Sequence, residues 1–177
     1  MAEKIILLQD ILKDSDYQHS QFDLVQIAEF ENRIIVKTDK NGKNIPYIQC
    51  LVRKKEIRLS PEEVIRQLYL EILLNDYGYP ADRVELEYIV VFGCEKKRVD
   101  IVIFDRDQTT TPYIIVELKK PKLKDGKEQL KSYCNATGAP IGVWTNGNQI
   151  SFYHRKDPNY FEPIPNIAQQ IIDRIKH

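Results

Sequence analysis

The sequence predicts an α/β fold: a mixed central sheet flanked by helices, with a β-hairpin added at the N-terminus. Three observations lead there. Two apolar stretches, Arg98–Phe104 and Tyr113–Lys119, flank the polar, turn-forming segment Asp105–Pro112 and read as an antiparallel hairpin. A helical pattern over about 125–136 follows and runs into a further apolar strand, Ile141–Thr145. Before this unit lies a well-punctuated helix start at Ser60-Pro61. The chain has 177 residues, enough for one domain with a real core. We read 1–177 as a single domain, its core at about 45–154 and a tail at 155–177.

In chain order, Lys4–Leu12 is a short amphipathic segment, predicted helical, and Asp14–Gln21 a polar loop. Arg33–Thr38 reads as a strand, Asp39–Lys43 as a turn around Asn41-Gly42, and Ile45–Val52 as the returning strand. Pro46 suggests that this strand lies at an edge, because proline cannot donate to a ladder. Arg53-Lys54-Lys55 fits a solvated loop, with a phosphate contact the alternative. Ser60 is a good N-cap, Pro61 suits the first helical position, and Glu63 completes a capping box. Val64, Ile65, Leu68, Tyr69, Ile72 and Leu73 form the apolar stripe, and Gly78 and Pro80 mark its end. Glu71 borders that stripe, as a salt-bridged surface residue or as a carboxylate facing a metal.

Arg83–Phe92 reads as a strand, and Gly93–Lys97 as the turn into the Asp100 strand. Lys96, Lys97 and Arg98 either solubilise this turn or grip a nucleic-acid backbone. After the second hairpin strand, five lysines from Lys119 to Lys127 face one acid, Asp125. The next helix carries Gln129 and Tyr133 four apart, hence on one face. Trp144 reads as core. Asn146-Gly147 signals a type I′ turn, with Gln149–His154 pairing back. The tail, with Pro163-Ile164-Pro165 and a short helix over Ile167–Ile175, reads as packing or linker.

The charges in the central hairpin point to chemistry. Glu117 and Lys119 are two apart on a strand and so share a face. Asp100 begins one strand and Glu117 ends the next, and in an antiparallel pair those ends meet. Two carboxylates at ~4 Å repel by about 4 kcal/mol at an effective dielectric of 20. Such a pair shares a proton, meets a cation or stays apart in water. A hard cation such as Mg²⁺ takes one or two protein carboxylates and completes its shell with water and phosphate oxygens. Lys119 would then hold the attacking water or offset charge at phosphorus, which is metal-assisted phosphodiester hydrolysis. The bland alternative is three solvated strand-end charges.

Composition narrows the field. Lys plus Arg and Asp plus Glu number 26 each, so nucleic-acid contact would have to come from local clusters. Three separated cysteines without C-x-x-C spacing fit reduced thiols in a cytoplasmic protein. The three histidines form no zinc pattern. No run has transmembrane length, no signal peptide is evident, and no phosphate-binding P-loop occurs, so no membrane partner and no motor are expected.

The order strand, Asp-bearing strand, Glu-x-Lys strand, helix, strand resembles the PD-(D/E)xK nuclease superfamily, with Val99-Asp100 in place of Pro-Asp. Within it the chain is most similar to the N-terminal nuclease domain of type I restriction enzyme R (HsdR) subunits. The resemblance runs from about 45 to 154. It rests on Leu51-Val52-Arg53-Lys54, Arg58-Leu59-Ser60-Pro61-Glu62-Glu63, Arg98–Val102, Ile115–Pro121, Gln129-x-x-x-Tyr133 and Thr145-Asn146-Gly147. It implies a restriction-endonuclease-like fold, Asp100 and Glu117 as Mg²⁺ ligands (with Mn²⁺ a substitute) and Lys119 as catalytic lysine. It also implies Gln129 and Tyr133 near DNA or the site, and Glu71 as a helix carboxylate used by some members. Arg98, Lys120 and Lys122 are the candidate DNA contacts beside them, on double-stranded DNA. The family's R subunits continue into an ATP-driven translocase, so the chain is expected to be an excised domain or a stand-alone relative. Other restriction–modification subunits are the implied partners. The alternatives are a non-cleaving module for DNA binding or subunit assembly, and a repair or mobile-element nuclease on the same fold.

Overall fold

The computed structural model describes residues 5–119, 126–158 and 160–167. Its elements run α1 (Leu8–Leu12), α2 (Leu24–Asn32), β1 (Ile35–Thr38), β2 (Asn44–Cys50), β3 (Lys55–Arg58), α3 (Pro61–Glu71), β4 (Val84–Phe92), β5 (Glu95–Phe104), β6 (Pro112–Leu118), α4 (Gly126–Thr137), β7 (Ile141–Thr145), β8 (Ile150–Asp157) and β9 (Tyr160–Ile164). The strands form a three-stranded sheet, β1-β2-β3, and a six-stranded sheet, β4-β5-β6-β7-β8-β9. The larger sheet is mixed: β6 and β7 are parallel, joined by the crossover through α4, and its other neighbours are antiparallel. This is the predicted α/β architecture with its N-terminal β extension.

β6 and β7 are buried along their whole length, as expected of parallel strands covered on both faces. A larger core joins one face to α1, α2 and α3, through Leu8, Phe30, Leu68, Ile101, Ile114 and Val116. A smaller core joins the other face to α4, through Val102, Ile115, Leu130, Tyr133 and Trp144. α3 starts at its predicted N-cap, with Glu63 N–H donating to Ser60 Oγ at 3.2 Å, but the Glu63 carboxylate accepts from Arg66 and Gln67 instead of completing the capping box. It ends in a wider π-helical turn, Ile72–Asp76, before Gly78.

Several expectations need correction. The strand bearing Pro46 is the centre of its sheet, because Lys55–Arg58 returns as β3. The proline is tolerated because β3 pairs only as far as Tyr47–Arg58, so the missing donor faces the end of the ladder. There Pro46 O accepts from Leu59 N–H at 2.9 Å. The Asn146-Gly147 connection is not type I′: Gly147 has φ +86°, but Asn146 does not share the positive φ that this turn requires. Instead the Asn146 side chain accepts from the Asn148 and Gln149 amides. The turn after β4 shrinks to Gly93-Cys94, which puts Lys96, Lys97 and Arg98 on β5. The segment read as linker supplies β9, with Pro163 on the edge strand. The tail helix lies outside the described residues apart from Ile167, which is buried. Cys50 and Cys134 are buried, Cys94 is exposed, and all are free. No helix among the described residues is long and apolar enough to cross a membrane.

Candidate functional site

β4 breaks stride at Glu87, whose φ is +52°. The β4–β5 ladder pairs Leu86 with Ile101 and Tyr88 with Val99 but leaves out Glu87 and Asp100 between them. The β5–β6 ladder likewise stops at Ile101–Val116, one step before Asp100 and Glu117. Asp100 thus stands where the sheet opens. Its carboxylate substitutes for the missing ladder bond: Leu118 N–H donates to Asp100 Oδ2 at 2.7 Å.

Glu117 follows on β6 with its side chain 2% exposed. Lys119 Nζ lies 3.0 Å from Glu117 Oε1, as the shared strand face predicts. Glu117 Oε2 is buried and has no hydrogen-bond partner among the described residues. Burial pushes the Glu117 carboxyl up to about 8; the Asp100 charge adds to this and the Lys119 ammonium opposes it. Burial also raises Asp100, against the Arg66 guanidinium and the Leu118 amide. The sequence-predicted trio is therefore assembled in one place, at the end of β6.

The structure adds residues that sequence reasoning missed. Arg66 of α3, its side chain 4% exposed, donates to Asp100 Oδ1 at 2.7 Å and to Glu62 Oε1 at 2.8 Å, and also pairs with Glu63. Burial disfavours its charge, but Glu63, Asp100 and Glu62 outweigh that and push its pKa up. Gln67 and Arg53 also hold Glu63, and Tyr17 Oη donates to Glu62 at 3.2 Å. The available signal was Glu62-x-x-x-Arg66, an i,i+4 pair on a helix rich in apolar residues. An arginine on the buried side of such a helix needs a partner from elsewhere.

Glu71 does not join this group. It lies five residues beyond Arg66, about 140° round a helix of 3.6 residues per turn. Its carboxylate pairs with Arg33 at the end of α2. Burial raises its pKa while Arg33 and Gln26 oppose. The α3 carboxylates tied to the Asp100 network are Glu62 and Glu63.

Gln129 and Tyr133 meet as their spacing predicts, Gln129 Nε2 donating to Tyr133 Oη at 2.6 Å. Tyr133 is raised by burial and by the charges of Glu117 and Asp100, which places its hydroxyl within the field of the site. Arg98 is exposed on β5, two residues before Asp100. Lys120 and Lys122 lie outside the described residues. Lys127 sits over the Trp144 ring, 5.3 Å from its centroid. Trp144 pairs in register with Glu117 across the parallel ladder.

The sequence profile of the family described as type I restriction enzyme R protein N terminus (HSDR_N) matches residues 61–168, more than half of the chain. The chain belongs to this family. The match spans α3 and the whole six-stranded sheet, and so includes Arg66, Asp100, Glu117, Lys119, Gln129 and Tyr133. Membership supports a nuclease role. No curated protein matches in sequence. Among solved structures, the chain is similar to a provisionally assigned nuclease belonging to DUF820 from Anabaena variabilis. The identity is 17% and the TM-score 0.41, over 70% of this chain and 87% of that one. It is also similar to a structure described as SSO0001, at 18% identity and TM-score 0.30, over 64% of this chain and 56% of that one.

Proposed function

We propose that this restriction-family chain is a Mg²⁺-dependent endonuclease domain that hydrolyses phosphodiester bonds of double-stranded DNA in the cytoplasm, alone or with other restriction–modification subunits. The observation that carries this reading is the buried Glu117, with one oxygen unpartnered among the described residues and the other on Lys119, beside Asp100 where the sheet opens. An unpartnered buried carboxylate oxygen next to a second carboxylate fits a hard, oxygen-seeking cation. Among the described residues no set of three or more His, Cys, Asp and Glu side chains is arranged to hold a metal. Asp100 and Glu117 offer two carboxylates, a donor set that suits Mg²⁺ or Mn²⁺ with water and phosphate oxygens in the remaining positions.

Asp100 and Glu117 would hold the ion. When bound, it supplies Lewis-acid polarisation of the phosphoryl group and a more acidic water. Lys119, already against Glu117, orients the attacking water and offsets charge building on the phosphate. Arg66 keeps Asp100 in its rotamer. Gln129, half-buried and fixed by its hydrogen bond to the hydroxyl of the buried Tyr133, is the polar group that α4 offers to the substrate. Arg98 and the lysines from Lys120 to Lys127 bind the backbone beyond it, because five lysines from Lys119 to Lys127 against one acid make the strongest local positive cluster in a chain of zero net charge.

One observation favours a non-cleaving DNA-binding or assembly module: Arg66 and the Leu118 amide already occupy both Asp100 oxygens. Calorimetric titration with Mn²⁺ separates the two readings. The nuclease reading expects one binding event in the wild type that is lost in Asp100→Asn and in Glu117→Gln. A wild type that binds DNA but no Mn²⁺ supports the module instead.

A further inference from the structure

Gly126, the first residue of α4, is packed where no side chain fits. A methyl built on it would stand 2.6 Å from Lys119 Cγ, 3.1 Å from Lys119 Cβ and closer still to Trp144 Nε1. Its φ is not in the left-handed region, so the requirement is for space and not for an unusual backbone. Neither neighbour yields easily. Trp144 is 6% exposed, fixed in β7 opposite Glu117. The Lys119 contact is at the base of its stem, where the backbone is pinned by Lys119 N–H donating to Thr145 O at 3.1 Å. Three elements, β6, α4 and β7, thus converge on one missing side chain.

We infer that Gly126 is a positioning residue for Lys119. This rests on the nuclease reading above. With no Cβ, the first turn of α4 closes on the Lys119 stem and leaves its ammonium one direction to extend, towards Glu117. The same closure sets the registration of α4, so Gln129 and Tyr133 face the carboxylates that Lys119 serves. An added methyl moves the stem, which displaces the ammonium from Glu117, or moves the helix or the indole, which removes the wall that directs the ammonium there. Asp100 and Glu117 themselves are held by β5, β6 and Arg66, so their ability to take a cation is left intact.

Trp144 is the only tryptophan in the chain, which gives this contact its own reporter. The test compares the 177-residue wild-type chain and Gly126→Ala by the single indole N–H resonance, its broadening by Mn²⁺, thermal unfolding, and kcat and KM for plasmid nicking. The expected result is a shifted indole resonance with Mn²⁺ broadening and cooperative unfolding kept. kcat would fall about 100-fold with KM little changed, the size of effect a displacement near 1 Å produces. An unmoved resonance or an unchanged kcat overturns the inference. So does loss of Mn²⁺ broadening together with cooperative unfolding, which makes Gly126 a requirement of the fold instead. A wild type that neither nicks nor responds to Mn²⁺ counts against the nuclease reading, and the indole resonance alone then decides whether Gly126 sets this packing.

Discussion

At Glu117 burial and charge act on a single proton. The folded carboxyl keeps it up to about pH 8, while its ordinary value is 4.5. Between those values the native state binds more protons than the unfolded chain. The contribution of this group to stability is therefore full below 4.5 and is lost as pH rises through about 8. We expect the melting temperature to decline over that window, and to decline less in Glu117→Gln. A cation on Glu117 must displace the same proton. Mn²⁺ affinity is then expected to rise with pH towards about 8, with proton release measurable by calorimetry in buffers of different ionisation heat. Affinity flat across this range would place the ion elsewhere. The trio Asp100, Glu117 and Lys119 was legible in the sequence because strand periodicity and hairpin order suffice to bring those positions together. Arg66 was not, since its role depends on how α3 docks on the sheet. Nor was Gly126, since a glycine in the first turn of a helix gives no sign in the sequence of what packs against it.

The tie between α3 and the sheet can be tested at the level of elements. Arg66 is buried and serves Glu62, Glu63 and Asp100. Arg66→Met leaves these carboxylates without their shared cation and should cost about 3–5 kcal/mol in denaturant unfolding, the usual cost of orphaning a buried charge. A loss below ~1 kcal/mol, typical of surface pairs, would mean that solvent screens the network. The loop after β7 offers a second test. Gly147 has φ +86°, and a methyl there would overlap the Gln18 carbonyl oxygen. Gly147→Ala should destabilise by about 1–3 kcal/mol through backbone strain alone, and more if the Asp14–Gln21 segment is displaced. Two elements escaped sequence reading for physical reasons. α2 exposes Leu24 and Val25 and buries only Ile27 and Phe30, so its stripe is blurred. β3 is a charged edge strand with one apolar residue, Ile57, the composition that keeps edges from pairing further but that also reads as loop.

Over the whole molecule, the family match begins at residue 61, yet the preceding segment reaches the site. Tyr17 bonds Glu62 and Arg53 pairs with Glu63 and Glu87. The N-terminal elements therefore brace α3 from outside the matched region. Equal numbers of acidic and basic residues leave no long-range pull on DNA, so affinity should reside in the basic stretch after β6. Replacing Lys120 and Lys122 by Gln should reduce the salt dependence of DNA binding, log K against log salt, by about 0.9 per phosphate contact removed. An unchanged slope would move the DNA path away from this stretch.

We propose that Asp100, Glu117 and Lys119 act together as a metal-dependent nuclease site. Its most direct test is nicking of supercoiled plasmid by the purified chain with Mg²⁺, Mn²⁺ or EDTA, beside Lys119→Ala. Nicking is expected to require the metal and to fall ~10²–10³-fold in the variant, the range for removing one group that stabilises transition-state charge. Nicking that persists in EDTA, or at wild-type rate in Lys119→Ala, would contradict it.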